Sequence, residues 1–374
     1  MKELMLLAGT ILFLLIGCDI SDNNPANDIN SIPLFHTYIE PENLSELLAN
    51  KLVKHPVPIK IFLNDVNYTG VIEAQGSGSR YLPKWSYEII LSKGTIINLK
   101  NFNLSAQVGD PSMLKTTLAS FAYKEMGFNV FDSELAFLKI NDQNKGLYYV
   151  IERIEEDFFN KRNIPVYELI KTMLGAKFTF AGSNNLYEYF EKEIGHSDNL
   201  YNFENFINTL DTVSQENISG QISNQLDILS YLKYHAVSTI IAAKDGFRNN
   251  IIFFKRSPKS PYETLPWDFD GTFNPLFTEI FYGDNEIIYK LLQNNYCFNL
   301  YKQYYTYFLE NLFNENTLFP IIDQTIQKIR TAYDLDPYLG EAGYSLEKEA
   351  NELKDFIALR RQLLLNNLNN FKKP

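Results

Sequence analysis

Two cysteines and four scattered histidines in 374 residues leave this chain almost nothing with which to build a disulfide framework or a structural zinc site. Basic charge is also in short supply, with 34 Lys and Arg against 45 Asp and Glu and a formal net charge of −11. A nucleic-acid partner needs a basic face for its phosphate backbone, so none is expected. A small phosphate-bearing ligand would have to be held by such an acidic protein through a metal ion. Gly-x-Ser-x-Gly, His-Glu-x-x-His and Cys-x-x-Cys motifs are missing, and no internal repeat is visible. Beyond the first turns of the chain, no run is long and apolar enough to span a bilayer.

What is present begins with Lys2 and the apolar run Leu4 to Ile16, closing in Leu15-Ile16-Gly17-Cys18. A short apolar core with a small residue before the cleavage point is predicted to be a signal peptide, residues 1–17, rather than a spanning helix. Cysteine directly after Leu-Ile-Gly resembles a bacterial lipobox. That resemblance implies diacylation of Cys18 and a lipid-anchored, extracytoplasmic protein; a retained anchor or a chance cysteine is the other reading. Residues 18–34 are mostly polar and read as a flexible tether. About 340 residues remain, enough for one large two-lobed domain or two ordinary ones. The whole chain is 45% hydrophobic and 14% aromatic, enough to bury a sizeable core.

The densest chemistry lies in Lys244-Asp245-Gly246-Phe247-Arg248-Asn249-Asn250 and Pro266-Trp267-Asp268-Phe269-Asp270-Gly271, on either side of the buried-strand pattern Ile251-Ile252-Phe253-Phe254. Asp, Asn and Gly are ordinary turn residues, so Asp-x4-Asn alone says little. Acids set among aromatics are another matter, because they are seldom left without a cation or donor. Asn250, Asp268 and Asp270 are therefore candidate ligands for Mg²⁺ or Mn²⁺. Protein kinases use the same logic: a catalytic Asp, an Asn five residues on, and an acid after the next strand.

Asp-x4-Asn at the end of a long helix, then a strand, then Pro-Trp-Asp-x-Asp, resembles the signature of the CotH (spore coat protein H) kinase family. The likeness runs in order from about Val57 to the C-terminus. Val57–Leu63, Tyr68–Ala74 and Ser86–Leu91 read as strands, and Gln75-Gly76-Ser77-Gly78-Ser79 between the last two reads as a loop whose N–H groups can cradle phosphates. A plain hairpin loop needs the same residues. Family sequences carry an Arg-Gly-x-Ser-Ser loop there; this chain has Gln75 for the Arg and Gly78 for one Ser, and keeps Gly76, Ser79 and Lys84. By resemblance Gly76, Ser77, Ser79 and Lys84 would bind nucleotide. Asp110 to Gly127 reads as a helix with Asp110 as N-cap, matching the family's Asp-x-Ser-x-Leu…Met-Gly helix. A hairpin, Leu135–Asn141 and Lys145–Ile154, then delivers Glu152. Glu152 can pair with Lys84, as a kinase Lys–Glu pair does, or cap the next turn.

Amphipathic helices are predicted around Leu186–Ile194 and Tyr201–Val213, and a buried helix over Ile228–Ala243 that carries His235 as a core residue and ends at Asp245. Helices are predicted for Glu286–Leu292, Phe298–Phe313, Leu318–Ala332 and Ser345–Asn369, with Tyr301, Tyr304, Tyr305 and Tyr307 as packing residues. The resemblance implies an α+β, atypical kinase-like bilobal fold over residues 35–374, strand-rich to about residue 165 and helical beyond. It implies transfer of the ATP γ-phosphoryl group to a protein Ser or Thr, with Asp245 as catalytic residue and Asn249 near the metal shell. The scarcity of ATP outside the cytoplasm and the missing Arg at Gln75 keep a non-catalytic surface module binding protein or glycan as an alternative, and nucleotidyl transfer in the same cleft as a third.

Overall fold

The computed structural model describes residues 31–76, 78–180 and 185–374. The expected leader, Cys18, most of the expected tether and Ser77 lie outside the described residues.

The first lobe is a closed barrel in the order β1-β2-β3-β4-β5-β7-β6. Its strands are β1 (Leu34–Tyr38), β2 (Val57–Leu63), β3 (Val66–Gln75), β4 (Ser86–Leu91), β5 (Asn101–Ser105), β6 (Ser133–Ile140) and β7 (Gln143–Glu152). Alternation explains the barrel: Val57, Ile59, Ile61 and Leu63 point inward along β2 while Pro58, Lys60 and Phe62 point out. Phe35, Ile72, Ile89, Phe102, Leu138 and Val150 complete the filling. Strand β1 closes the barrel by pairing parallel to β6, Leu34 opposite Phe137. Ile32 is already buried and Leu34 is in β1, so the last residues assigned to the expected tether belong to the folded lobe.

Helix α1 (Pro41–Ala49) covers one side of the barrel, and α2 (Lys115–Glu125) follows β5. The helix predicted with Asp110 as its N-cap begins four residues late. Leu114 is its N-cap, and Met113 at φ 57° breaks the helical path before it. Asp110 instead organises the turn ahead of α2, as described below.

The chain leaves the barrel through α3 (Glu156–Lys161) and enters a second sheet of order β11-β10-β8-β9, made of β8 (Glu168–Thr172), β9 (Phe190–Ile194), β10 (Ile251–Lys255) and β11 (Glu263–Pro266). Strand β9 corrects the helix expected at Leu186–Ile194. Only a 3-10 turn, Leu186–Glu188, forms there, and the alternation of buried Phe190 with exposed Glu191 and Glu193 lets the rest pair with β8. The second lobe is therefore not simply helical.

Its helices are α4 (Tyr201–Thr212), α5 (Ile218–Ile222), α6 (Ile228–Ile240), α7 (Glu286–Leu292), α8 (Asn295–Asn311), α9 (Glu315–Asp334) and α10 (Leu346–Asn367). Helix α6 is buried nearly all round and capped by Asp227, whose carboxylate accepts from Leu229 N at 3.1 Å and Ser230 N at 3.2 Å. His235 is buried within it, and so is the free Cys297 within α8. Tyr301 and Tyr305, one helical turn apart on α8, are fully buried and donate to Phe281 O and Ile280 O, whereas Tyr307 is exposed. One apolar core runs from α2 and Phe131 at the barrel's edge through the second sheet to α10, so the lobes share packing. Among the described residues no helix is long and apolar enough to cross a membrane.

Candidate active site

Asp245 is positioned by the end of α6. The last carbonyls of a helix lack partners within it, and buried Arg360 of α10 donates to two of them, Thr239 O at 2.8 Å and Ile240 O at 3.4 Å, and to Glu279 O at 2.6 Å. Tyr234 Oη donates to Gly246 O at 2.7 Å, which holds the next turn down. The backbone carbonyl of Asp245 then accepts from both Asn249 N and Asn250 N at 3.1 Å. The Asp-x4-Asn pattern is thus a closed turn. The Asp245 carboxylate itself is open to solvent and lies over Gly271, where a Cβ would stand 3.0 Å from Oδ2.

The β10–β11 hairpin brings the second acidic group back to this turn. Ile251 is paired with Pro266, so the residues just outside the pair, Asn250 and Trp267-Asp268, meet. The Asn250 carboxamide lies on the Asp268 side of the turn and favours the ionised form of that carboxyl. Asp268 adopts φ 59°, a left-handed backbone that costs a non-glycine residue of order 1 kcal/mol and is tolerated where the surroundings enforce it. Phe269 is what enforces it here, stacked between Tyr123 of α2 at 5.4 Å and Phe131 at 4.9 Å. With Phe269 pinned, the flanking carboxylates of Asp268 and Asp270 stand out on either side.

Both acids are electrostatically strained. Asp268 opens to the cleft yet is ringed by protein, and that desolvation, with Asp270 and Asp245 nearby, pushes its carboxyl up to about 8. Asp270 is raised by desolvation too, against the backbone N–H of Gly109, which donates to its Oδ2 at 3.3 Å. Neither carboxylate has a salt-bridge partner among the described residues.

A cavity of about 230 Å³ lies between these acids and the barrel. The turn after β3 forms the opposite wall: Gly76, at φ 93°, leaves no room for a Cβ, which would fall 2.5 Å from Ser79 Oγ. Ser79 Oγ donates to Gln75 O at 3.0 Å and closes the loop on itself. Asn103 lines the same cavity, and its buried Oδ1 has no hydrogen-bond partner. An acceptor left waiting in a pocket wall is a place for a ligand N–H or O–H. Gly76, Ser79, Asp268 and Asp270 are thus brought together around one space, with Asn250 behind them and Asp245 on the adjoining face of Asp268.

Three expectations are corrected. Glu152 does not pair with Lys84; it accepts from Arg162 at 2.6 and 3.0 Å and from Asp132 N at 2.9 Å, away from the cavity. Lys84 is buried and bound to Asp336, in the connection between α9 and α10, at 2.8 Å. That same carboxylate accepts from Leu147 N at 2.7 Å, and Gly146, at φ 90°, is obligatory beneath it because a Cβ would sit 2.1 Å from Oδ2. Lys84 therefore joins the loop to the far end of the chain rather than lining the cavity. Asn249 is also occupied, accepting from Gly175 N at 2.7 Å. The reading of the sequence missed Asp336 and Lys115; the Asp110-x-Ser112 turn before α2 was a usable signal for the second, and nothing local marked the first.

Among the described residues no three His, Cys, Asp or Glu side chains converge as a metal cage. Two carboxylates and a carboxamide beside an open cavity suit Mg²⁺ or Mn²⁺ nonetheless, because such ions take one or two carboxylates and complete their shell with phosphate oxygens and water. The residues fit the ion as one shared with a ligand.

A two-lobed α+β chain with a glycine-bearing loop facing paired acids is kinase-like. The family model described as CotH kinase protein matches residues 72–364, and the chain belongs to that family. Inner spore coat protein H of Bacillus subtilis is 24% identical over 355 residues, which cover 91% of this chain and 98% of that protein. Among solved structures, the HipA of Shewanella oneidensis, in complex with HipB and operator DNA, is 13% identical over 91% of this chain and 73% of its own, with a TM-score of 0.37. The golgi casein kinase with Mn/ADP bound is 12% identical over 87% of this chain and 75% of its own, with a TM-score of 0.32. Neither superposes closely.

Proposed function

We propose that this protein transfers the γ-phosphoryl group of ATP to a hydroxyl, a Ser or Thr of a protein, in the cleft between its lobes. The observation that carries the reading is the pair Asp268 and Asp270: two carboxylates that oppose each other's ionisation, with no salt bridge to either among the described residues, facing a cavity lined on its other side by Gly76 and Ser79. Asn250 and Asp268 would hold Mg²⁺ or Mn²⁺, with Asp270 as a further ligand, and a bound ion supplies the positive charge that a transferring phosphoryl group requires. Asp245 is exposed and lines a small cleft together with Asp268, where it can orient the acceptor hydroxyl and take its proton as the new O–P bond forms and the bond to ADP breaks. Gly76 and Ser79 present the loop backbone to the phosphates, and Asn103 Oδ1 can accept from the base or the ribose.

Calorimetric titration of the purified protein with ATP, with and without Mn²⁺, tests this. Metal-dependent binding that Asp268→Asn removes supports it, and mass spectrometry of protein acceptors then separates an added phosphate from an added nucleotide. Binding that ignores metal and survives Asp268→Asn would end it. The second reading, a non-catalytic binding module, is favoured by one feature: no Lys or Arg lines the cavity among the described residues. A variant-insensitive ligand other than nucleotide would support that module.

The anchoring belongs with this reading. We propose that Cys18 is lipidated and holds the kinase lobe at an extracytoplasmic membrane surface. Cys18→Ser should move the protein from the membrane to the soluble fraction, and unchanged fractionation would count against it.

A further inference from the structure

A triphosphate brings about four negative charges into a cleft whose own acids already repel each other, so a cationic side chain beside the phosphates would add to the charge a metal ion supplies. Three cationic side chains belong to segments that flank the cleft. Lys84 is committed to Asp336 inside the protein. Arg80 is turned onto the loop's own backbone, donating to Gly76 O and, at 3.4 Å, to Lys51 O. Lys115 is different. Its ammonium rests on two carbonyls, Gly109 O at 3.1 Å and Asp270 O at 3.4 Å; it favours the ionised forms of Asp110 and Asp270 from a distance and forms no salt bridge among the described residues.

The position of Lys115 is built. The buried Asp110 carboxylate accepts from Lys115 N at 2.8 Å and Ser112 N at 3.1 Å, and from Ser112 Oγ, which fixes where α2 starts and hence where the side chain of residue 115 leaves it. Gly109 N in turn donates to Asp270 Oδ2. The ammonium therefore sits on a clamp between the turn before α2 and the acidic loop, one residue from Val108, which lines the cavity. An ammonium has three protons, and two are used on neutral oxygens. Exchanging a carbonyl for a phosphate oxygen replaces a neutral acceptor with a charged one, which roughly doubles the strength of the bond.

We propose that Lys115, not Lys84, is the lysine that contacts the nucleotide phosphates, delivered by the Asp110–Ser112 turn. The inference rests on the kinase reading above. It also assigns Lys84 to holding the lobes together.

The test is calorimetric titration of the purified protein with ATP and with adenosine, each with Mn²⁺, for wild type, Lys115→Met, Lys115→Arg and Lys84→Met. Lys115→Met should weaken ATP binding by about tenfold or more and leave adenosine binding unchanged, as loss of one charge-assisted bond to phosphate requires. Lys115→Arg, which keeps the charge if Lys115→Met fails to fold, should recover most of the ATP affinity. Lys84→Met should lower the melting temperature without changing the ratio of ATP to adenosine affinity. If Lys115→Met and Lys115→Arg both keep the wild-type ratio, or if the ratio collapses in Lys84→Met instead, Lys115 is not the phosphate lysine while the kinase reading stands. A wild type without metal-dependent preference for ATP over adenosine overturns both.

Discussion

The acidic wall of the cleft and the basic groups around it are made in opposite ways. Asp245, Asn250, Asp268 and Asp270 come from one continuous stretch, a turn and a hairpin whose register brings them together, while Arg360, Tyr123 and Phe131 steady that frame from elsewhere. Lys84 and its partner Asp336 are 252 residues apart, and Lys115 reaches the acidic loop across 155. A metal site can be local because its ligands need only share an ion. Lysines beside buried acids must be told which acid to choose, and only the packing of the two lobes tells them.

The largest expected effect breaks the local wall. Asp245→Asn should keep metal-dependent ATP binding and lower kcat by about 100- to 10,000-fold, the range a positioned proton acceptor contributes. A parallel loss of affinity would move Asp245 from the chemistry to the metal.

The next breaks the distant wall. Asp336→Asn leaves the buried Lys84 ammonium without its charge partner and should cost about 3–5 kcal/mol of stability, read by denaturant unfolding. Adding Lys84→Met to that variant should restore much of the loss, because the cost lies in the unpaired charge. If the double variant is no better than the single one, the backbone contact of Asp336 to Leu147 is what matters.

A third prediction concerns pH. Asp268 is raised to about 8 in the folded protein, above the ordinary carboxylate value that it has when unfolded. Between those two values the folded state holds a proton that the unfolded state has released. Stability of the metal-free protein should therefore fall as pH rises from about 4 to 8 and level off beyond. Asp268→Asn should flatten that slope, and Mn²⁺ with ATP should raise the melting temperature more at pH 8 than at pH 6, since binding displaces the proton. Slopes identical in wild type and variant would mean that Asp268 ionises normally.

The smallest effect belongs to Glu152→Gln. Its carboxylate serves Arg162 and the Asp132 N–H, so nucleotide affinity should stay within about twofold while stability drops by about 1–3 kcal/mol. A large affinity loss would reopen a Glu152 role at the phosphates.

Legibility followed the same division. The strands over Val57–Leu63 and Ser86–Leu91, the buried α6 and the acidic hairpin were readable because period, caps and turn residues act within a few positions. Leu186–Ile194 was misread because a short segment with both acids and aromatics suits either period, and β8, already present in the fold, selected the strand. The sequence left Glu152 between pairing with Lys84 and capping a turn, and could not point to Asp336, because charge type is visible in a sequence and proximity is not.

By itself, then, the sequence determined the family, the α+β class, five of the seven strands of the barrel and the close spacing of Asp245, Asn250, Asp268 and Asp270, all of which depend on residue types at short range. The tertiary structure alone decided that Asp336 holds Lys84, that Arg162 takes Glu152, and that Lys115 rests on Asp270. Charged side chains pair through space at a few ångströms, and where the chain returns to within that distance is set by how its two lobes pack.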